Sequence, residues 1–142
     1  MPIIKPDAVE TAIIGYEEMM EAKSMVGSGG CMFLNEDTCI VTFAWRTALF
    51  YANESCGKCT PCREGTRWMV QILERILAGG GQPGDVELLK QVASQIDGRS
   101  FCPLGDAAAW PIAAFIRVFP EEFDYFIEHG RSMVTSREAV PA

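Results

Sequence analysis

The sequence predicts a mainly α-helical fold, a four-helix-type bundle, over residues 38–133. Apolar residues recur at helical spacing in consecutive segments, and glycine or proline ends each segment. The connections between these segments are short, so neighbouring helices are expected to pack antiparallel around one core. Apolar residues make up 49% of the 142-residue chain, enough for one domain with a substantial core.

Residues 1–37 show weaker patterns. Residues 16–23 favour a helix by propensity, and the glycines within 27–30 end it. That glycine group lacks the G-x-G-x-x-G spacing, so a flexible turn is predicted instead of a phosphate-binding loop. The apolar residues 31–34 predict a short buried strand, ended by the turn-forming residues 35–37. The partner of this strand would have to lie elsewhere, because one strand cannot satisfy its own backbone hydrogen bonds.

The first two helices of the predicted bundle flank a cysteine-rich loop. Asp37 or Thr38 can cap the first helix, and Thr60 is the predicted N-cap of the second. Pro61 then occupies the first helical position, where the missing N–H has no cost. The glycines at 79–81 end the second helix.

The remaining helices follow at similar intervals. Asp85 is predicted to cap the third helix, which stops near Gly98. Asp106 is predicted to cap the fourth, which is expected to break or kink at Pro111. A last short helix is predicted over residues 120–130.

Four cysteines form the most informative pattern of the sequence. Cys56, Cys59 and Cys62 follow the spacing C-x₂-C-x₂-C, and a distant Cys102 is followed directly by proline. A [4Fe–4S] cluster takes four cysteine thiolates, and ferredoxins hold theirs with this type of run and a later Cys-Pro. The bundle is expected to bring both loops to the same end. The sequence therefore predicts an iron–sulfur site with these four ligands.

The residues around the cysteines agree with an anionic group. Cys62 falls in the first turn of a predicted helix, where backbone N–H groups and the dipole favour negative charge. Lys58 and Arg63 lie inside the motif, and Arg99 precedes the fourth cysteine. These three cations are candidates for tuning the site by charge or by hydrogen bonds to sulfur.

A structural zinc site is the alternative interpretation. Zinc also accepts four cysteines, but its usual spacing pairs two separate C-x-x-C segments, whereas here three cysteines share one loop. Five further residues are expected to be simple core residues: two cysteines as small buried hydrophobes and three tryptophans as core aromatics. They are Cys31, Cys39, Trp45, Trp68 and Trp110.

The bulk properties limit the possible partners. A formal net charge of −7 argues against nucleic acid or an anionic membrane surface. The longest apolar run, 107–116, is too short to span a bilayer. Residues 1–5 lead into acidic residues and not into an apolar segment, so no signal peptide is expected. Thiols in a reducing compartment are therefore expected, not a disulfide framework.

Two sequence blocks carry a family resemblance. Residues 50–65, which include E-S-C-G-K-C-T-P-C-R-E-G, and residues 98–111, G-R-S-F-C-P-L-G-D-A-A-A-W-P, are highly specific. With them, residues 38–133 resemble the C-terminal iron–sulfur domain of the flavoprotein subunit of respiratory NADH:quinone oxidoreductase, complex I. Residues 1–36 resemble the preceding stretch of that subunit, where a β-grasp-type domain ends.

The resemblance implies a function in electron transfer. In that family NADH reduces FMN, and one [4Fe–4S] cluster passes single electrons from the flavin to downstream clusters. It implies ligand roles for Cys56, Cys59, Cys62 and Cys102. The implied partners are the FMN- and NADH-binding portion of the flavoprotein subunit, the large iron–sulfur subunit and the small [2Fe–2S] subunit. The implied location is a peripheral arm on the cytoplasmic side of a bacterial membrane, or the mitochondrial matrix.

The same resemblance implies what this chain lacks. The glycine-rich FMN and NADH segment lies upstream in the family, so the chain is expected to be a fragment, a split subunit or a truncated product that does not oxidise NADH alone. The expected division is the end of a β-grasp-like domain at 1–37, the cluster domain at 38–133 and a tail at 134–142. Related subunits of NAD-reducing hydrogenases and NAD-dependent formate dehydrogenases are the alternative assignment.

Overall fold

A computed structural model describes residues 2–134, and within that range every regular element is helical. The mainly α fold class is therefore confirmed. The predicted tail at 134–142 lies outside the described residues except for its first residue. The helices are α1 (Pro6–Val9), α2 (Tyr16–Glu21), α3 (Ile40–Glu54), α4 (Thr60–Arg75), α5 (Asp85–Ile96), α6 (Pro103–Val118) and α7 (Pro120–His129). A π-helical turn, Ile76–Gly80, continues α4.

One apolar core holds α3 to α7 together. Helix α4 lies between α3 and α5, α6 packs on all three, and α7 contacts α6, α3 and the π-helical turn. Side chains at helical spacing supply the core, as expected for amphipathic helices. The largest fully buried ones are Val41, Thr66, Met69, Leu73, Ile76, Leu89, Ile96, Ile112, Ile116 and Phe123.

A glycine lets α4 and α5 approach each other closely. A Cβ atom placed on Gly65 would lie 2.6 Å from Cγ1 and 2.7 Å from Cδ1 of Ile96. Both residues are buried, so the Ile96 side chain occupies the space that any larger residue at 65 would need. This contact fixes the start of α4 against the end of α5, next to the two loops that carry the cysteines.

Helix α3 begins later than predicted, and a contact with α7 explains the difference. Helix α3 starts at Ile40 with Cys39 as its N-cap, not with Asp37 or Thr38. The Glu122 carboxylate accepts a hydrogen bond from the Ile40 N–H at 3.0 Å. A side chain from α7 thus satisfies a donor that local capping residues satisfy in most helices.

The other three predicted caps were also wrong. Helix α4 has Cys59 as its N-cap instead of Thr60, and α5 follows Gly84, whose positive φ suits glycine. Helix α6 begins directly after Cys102, one turn before Asp106. It then continues through Pro111 without a break, since a proline removes only one intrahelical hydrogen bond.

The predicted strand at 31–34 was wrong. This segment is irregular and its four residues are exposed, including Met32 at 77% and Phe33 at 82%. No strand lies within residues 2–134 to pair with it, so its backbone groups face solvent. The prediction that Cys31 is buried was wrong for the same reason.

The tryptophans lie at the edge of the core, not inside it as predicted. Trp68 is 53% exposed and Trp110 is 36% exposed. Trp45 is half-buried, and its indole N–H donates to the Glu74 carboxylate at 3.4 Å. An indole has a donor that needs a polar partner, and such partners are at the surface.

Within residues 2–134, none of the helices combines the length and apolar character needed to cross a bilayer.

Candidate metal centre

The loop between α3 and α4 meets the loop between α5 and α6. Residues 58–61 of the first and residues 98–101 of the second line an open cleft of about 450 Å³. The Lys58 ammonium lies 5.5 Å from the ring centroid of Phe101, a cation–π contact across the cleft. The helical packing therefore brings Cys59 beside the segment that leads into Cys102, as predicted.

Two of the predicted ligands cap helices. Cys59 is the N-cap of α4 and Cys102 is the N-cap of α6, each followed within two residues by proline. Cys62 lies in the first turn of α4 and is buried, whereas Cys56 and Cys102 are exposed. All four are free thiols. The positive ends of two helix dipoles thus lie next to predicted ligands, a setting that favours thiolates and an anionic group.

The second loop stabilises a thiolate in the first. The backbone N–H of Phe101 lowers the pKa of the Cys59 thiol, against a smaller opposing effect of desolvation. Ser100 and the backbone N–H groups of Cys62 and Cys59 also lower this pKa. The Ser100 oxygen is outside hydrogen-bond geometry with any described atom, so we assign it a weaker electrostatic influence than the Phe101 N–H. Metals bind the thiolate form of cysteine, so this environment prepares Cys59 to act as a ligand.

A second hydroxyl group orders the first loop. The Ser55 Oγ lies 3.3 Å from the Cys62 Sγ and accepts the Gly57 N–H at 3.4 Å. Gly57 has φ +76°, a left-handed conformation that glycine adopts without strain. These contacts fold the loop back on the start of α4 and hold the residues on either side of Cys56 near Cys62.

The three candidate cations have different positions. The Arg63 guanidinium donates to the Gly57 carbonyl at 2.7 Å and pairs with Glu64 at 2.8 Å, so it braces the loop. Lys58 lies over the Phe101 ring at the cleft. Arg99 lines the cleft but its guanidinium contacts Gln95 of α5. Only electrostatic roles for Lys58 and Arg99 and a loop-bracing role for Arg63 are consistent with these contacts.

Helix α6 anchors the second loop. The Asp106 carboxylate accepts the Gly98 N–H at 2.7 Å, and the Trp110 indole N–H donates to Asp97 at 2.9 Å. Both contacts join the residues just after α5 to α6, and Asp106 and Trp110 lie one helical turn apart on α6. These contacts hold the loop that carries Cys102 against α6. Asp106 therefore accepts a hydrogen bond from this loop and does not cap the helix.

One buried polar atom of a residue that lines the cleft has no described hydrogen-bond partner. The Ser100 Oγ is buried and meets no hydrogen-bond partner among the described residues. A Cβ on Gly105 would lie 2.2 Å from this oxygen, so the glycine makes room for the hydroxyl. An unpartnered buried hydroxyl costs about 1–3 kcal/mol. The free thiols, the two helix N-termini and this hydroxyl fit a sulfur-rich anionic group.

The residues do not form a preassembled site for a single ion. Over residues 2–134, no group of three or more His, Cys, Asp or Glu side chains is arranged around one metal position. The four cysteines were predicted from the sequence, but Ser55, Ser100 and the Phe101 backbone were missed. Ser55 could have been found from its position next to the motif, whereas Ser100 becomes apparent only when α5 and α6 pack.

Residues 42–125 match the family model described as the NADH-ubiquinone oxidoreductase-F iron-sulfur binding region. The chain belongs to this family. The match includes all four predicted ligand cysteines and both loops. The chain therefore corresponds to the C-terminal iron–sulfur region of the flavoprotein subunit, as its motifs predicted.

Curated relatives agree with this family assignment. An F-type subunit of the NADH-quinone oxidoreductase of Rhizobium meliloti (strain 1021) is 38% identical over 140 residues, which cover 99% of this chain and 32% of the relative. The F-type subunit of the same enzyme in Streptomyces coelicolor is 48% identical over 114 residues, 80% of this chain and 25% of the relative. The mitochondrial NADH dehydrogenase [ubiquinone] flavoprotein 1 of Dictyostelium discoideum is 33% identical over 124 residues, 87% and 26% of the two chains. The chain thus spans a third or less of the length of these relatives.

Proposed function

We propose that Cys56, Cys59, Cys62 and Cys102 hold one [4Fe–4S] cluster. The observation that supports this proposal most directly is the meeting of the two cysteine loops at the N-termini of α4 and α6. Two helix dipoles and several backbone N–H groups face the thiols there, and they offset the negative charge that four thiolates bring. When bound, such a cluster accepts and releases one electron at a time.

We further propose that the chain is an electron-transfer relay of an NADH:quinone oxidoreductase. The cluster would take electrons from FMN reduced by NADH and pass them to downstream iron–sulfur clusters. FMN and NADH would bind to the remaining portion of the flavoprotein subunit, and the large iron–sulfur subunit and the small [2Fe–2S] subunit would be partners. The family membership and the names of the relatives support this proposal. A peripheral arm on the cytoplasmic side of a bacterial membrane, or the mitochondrial matrix, would be its location.

The domain division follows from the same proposal. Residues 38–133 would form the cluster-binding bundle, and residues 1–37 would be the end of a β-grasp-like domain and a linker. The exposed apolar residues of 31–34 support the view that this segment packs against protein outside this chain.

Metal analysis of anaerobically purified or reconstituted protein tests the cluster. We expect about four iron atoms and four acid-labile sulfides per chain, a brown colour and a paramagnetic signal after reduction. Colourless protein with one zinc ion and no sulfide would contradict the proposal and favour the alternative, a structural zinc site in a non-redox interaction module. FMN bound tightly to this chain alone would contradict the assignment of the flavin site to another portion.

A further inference from the structure

Two serine side chains lie beside predicted ligand cysteines, one in each loop. Ser55 precedes Cys56 in the first loop, and Ser100 lies two residues before Cys102 in the second. We propose that these two hydroxyl groups, Ser55 above all, donate hydrogen bonds to the ligand sulfurs and thereby raise the reduction potential of the bound cluster. This inference rests on the proposed function and specifies how the chain adjusts it.

The direction of the Ser55 hydrogen bond follows from chemistry. The Ser55 Oγ and the Cys62 Sγ are 3.3 Å apart, and while Cys62 is a free thiol either atom could be the donor. A coordinated thiolate has no proton, so the hydroxyl must be the donor once Cys62 binds iron. The Gly57 N–H donates to the same oxygen at 3.4 Å, which uses a lone pair and leaves the hydroxyl hydrogen available for sulfur.

Ser100 occupies the equivalent place on the other loop by an independent observation. Its Oγ is buried without a described partner, and it occupies the space that a Cβ on Gly105 of α6 would need. Ser100 and Cys59 line the same cleft. With a cluster bound in this cleft, the unpartnered hydroxyl would donate to the Cys59 sulfur or to a neighbouring inorganic sulfide.

The effect on the potential has a definite sign. Reduction adds one electron, and therefore one negative charge, to a group already bound by four thiolates, and no bond is formed or broken. A hydrogen bond to sulfur stabilises the more negative state more strongly, because charge-assisted hydrogen bonds strengthen with acceptor charge. Removal of the hydroxyl should therefore shift the potential to a more negative value.

The test is a redox titration of loaded protein followed by electron paramagnetic resonance. Ser55→Ala should keep the iron and sulfide content of the unmodified chain but titrate at a more negative potential, and Ser55→Thr should restore the original value. Ser100→Ala should shift in the same direction. Ser94→Ala is the matched control, since this exposed hydroxyl donates to the Gln91 carbonyl of its own helix and should leave the potential unchanged.

The possible outcomes separate this inference from the proposed function. If the unmodified chain holds no iron and sulfide, the proposed function fails. If the chain is loaded and Ser55→Ala has an unchanged potential, only the inference fails. Should Ser55→Ala not hold the cluster, the isosteric pair Ser55→Thr and Ser55→Val replaces it. A loaded valine variant at the more negative potential supports the inference. Equal potentials in the threonine and valine variants would overturn the inference. Loss of the cluster from the valine variant alone would also overturn it, because the hydroxyl would then be required for cluster assembly.

Discussion

Cys59 has two functions that reinforce each other at the scale of one residue. It is the N-cap of α4, and its thiol meets the backbone N–H of Phe101 in the second loop. Its backbone N–H and that of Cys62 point toward its own sulfur, and the Phe101 N–H approaches from the other loop. The start of the helix thus creates the environment that stabilises the ligand.

Replacement of Cys59 should remove the cluster. Cys59→Ala leaves three thiolates and one incompletely ligated iron, and it removes the acceptor for the N–H groups at the cleft. We expect most of the iron and sulfide to be lost, measured by metal and sulfide analysis of the purified variant. Cys39→Ala is the control, because Cys39 accepts the Thr42 N–H at 3.5 Å at the start of α3, packs against the core and lies outside the site. Full iron content in Cys59→Ala would contradict the ligand assignment.

Glu122 gives the stability of the fold a pH dependence. Burial raises the pKa of this carboxyl above its ordinary value of 4.5, and the neighbouring Glu121 adds to the increase, while the Ile40 N–H opposes it. Since the folded state holds the proton more tightly than the unfolded state, ionisation costs folding free energy. This cost is absent below the unfolded pKa and grows as the pH rises through the raised folded pKa.

Glu122→Gln should remove that dependence. The amide oxygen still accepts the Ile40 N–H, but it does not ionise. The variant should therefore gain stability relative to the unmodified chain as the pH increases, measured by urea unfolding between about pH 4 and pH 8. Glu122→Ala separates the two effects, because it does not ionise either but also loses the cap, so it should be about 1 kcal/mol less stable than Glu122→Gln at every pH. Parallel profiles for the glutamine variant and the unmodified chain would contradict the prediction.

At the scale of elements, close helix packing positions the two loops. Helices α4 and α5 touch at Gly65 and Ile96, and α6 holds the turn after α5 through Asp106 and Trp110. The N-termini of α4 and α6 consequently come together, although their sequences are far apart. A change at the helix contact should affect the site without altering any cysteine.

Gly65→Ala should destabilise the protein. Alanine is the better helix former, but its Cβ would lie within 2.7 Å of two Ile96 side-chain atoms in a packed core. Overpacking of this kind costs about 1–3 kcal/mol, measured by urea unfolding. Ile96→Ala removes both atoms that clash. The double variant should therefore lose less free energy of unfolding than the sum of the losses in the two single variants. Strict additivity would show that the contact does not limit the packing.

At the scale of the whole molecule, the core and the candidate site are separate. The core side chains between α3 and α7 are apolar, whereas three of the predicted ligands are exposed or half-buried at one end. The fold therefore has its own source of stability, the burial of apolar surface, and we expect it to form without metal, unlike very small zinc domains.

Removal of the cluster should loosen only that end. We expect chelator-treated protein to keep its helical circular dichroism but to melt at a lower temperature, because a group that binds the native state alone stabilises it. Amide hydrogen exchange should accelerate in the loops at 55–59 and 97–102 and remain slow in the middle of α3 and α4. Loss of all helical signal on metal removal would contradict a core that folds independently.

Local patterns in the sequence determined the helices and the set of cysteines. Helical periodicity depends on neighbours three and four residues apart, and ligand spacing depends on a short loop, so both are present in the chain before it folds. The same locality explains the errors. Thr60 and Asp106 have the chemistry of N-caps, but in the folded chain Cys59 is the N-cap of α4 and Cys102 that of α6.

Only the tertiary structure decided the contacts between distant segments. The carboxylate of Glu122 caps α3 from 82 positions away, and the Ser100 hydroxyl fits beside α6 because residue 105 is a glycine. The strand predicted at 31–34 found no partner within residues 2–134, since strands require a second segment and helices do not. Hydrogen bonds and close contacts between remote residues depend on the path of the chain in space, which no single window of sequence contains.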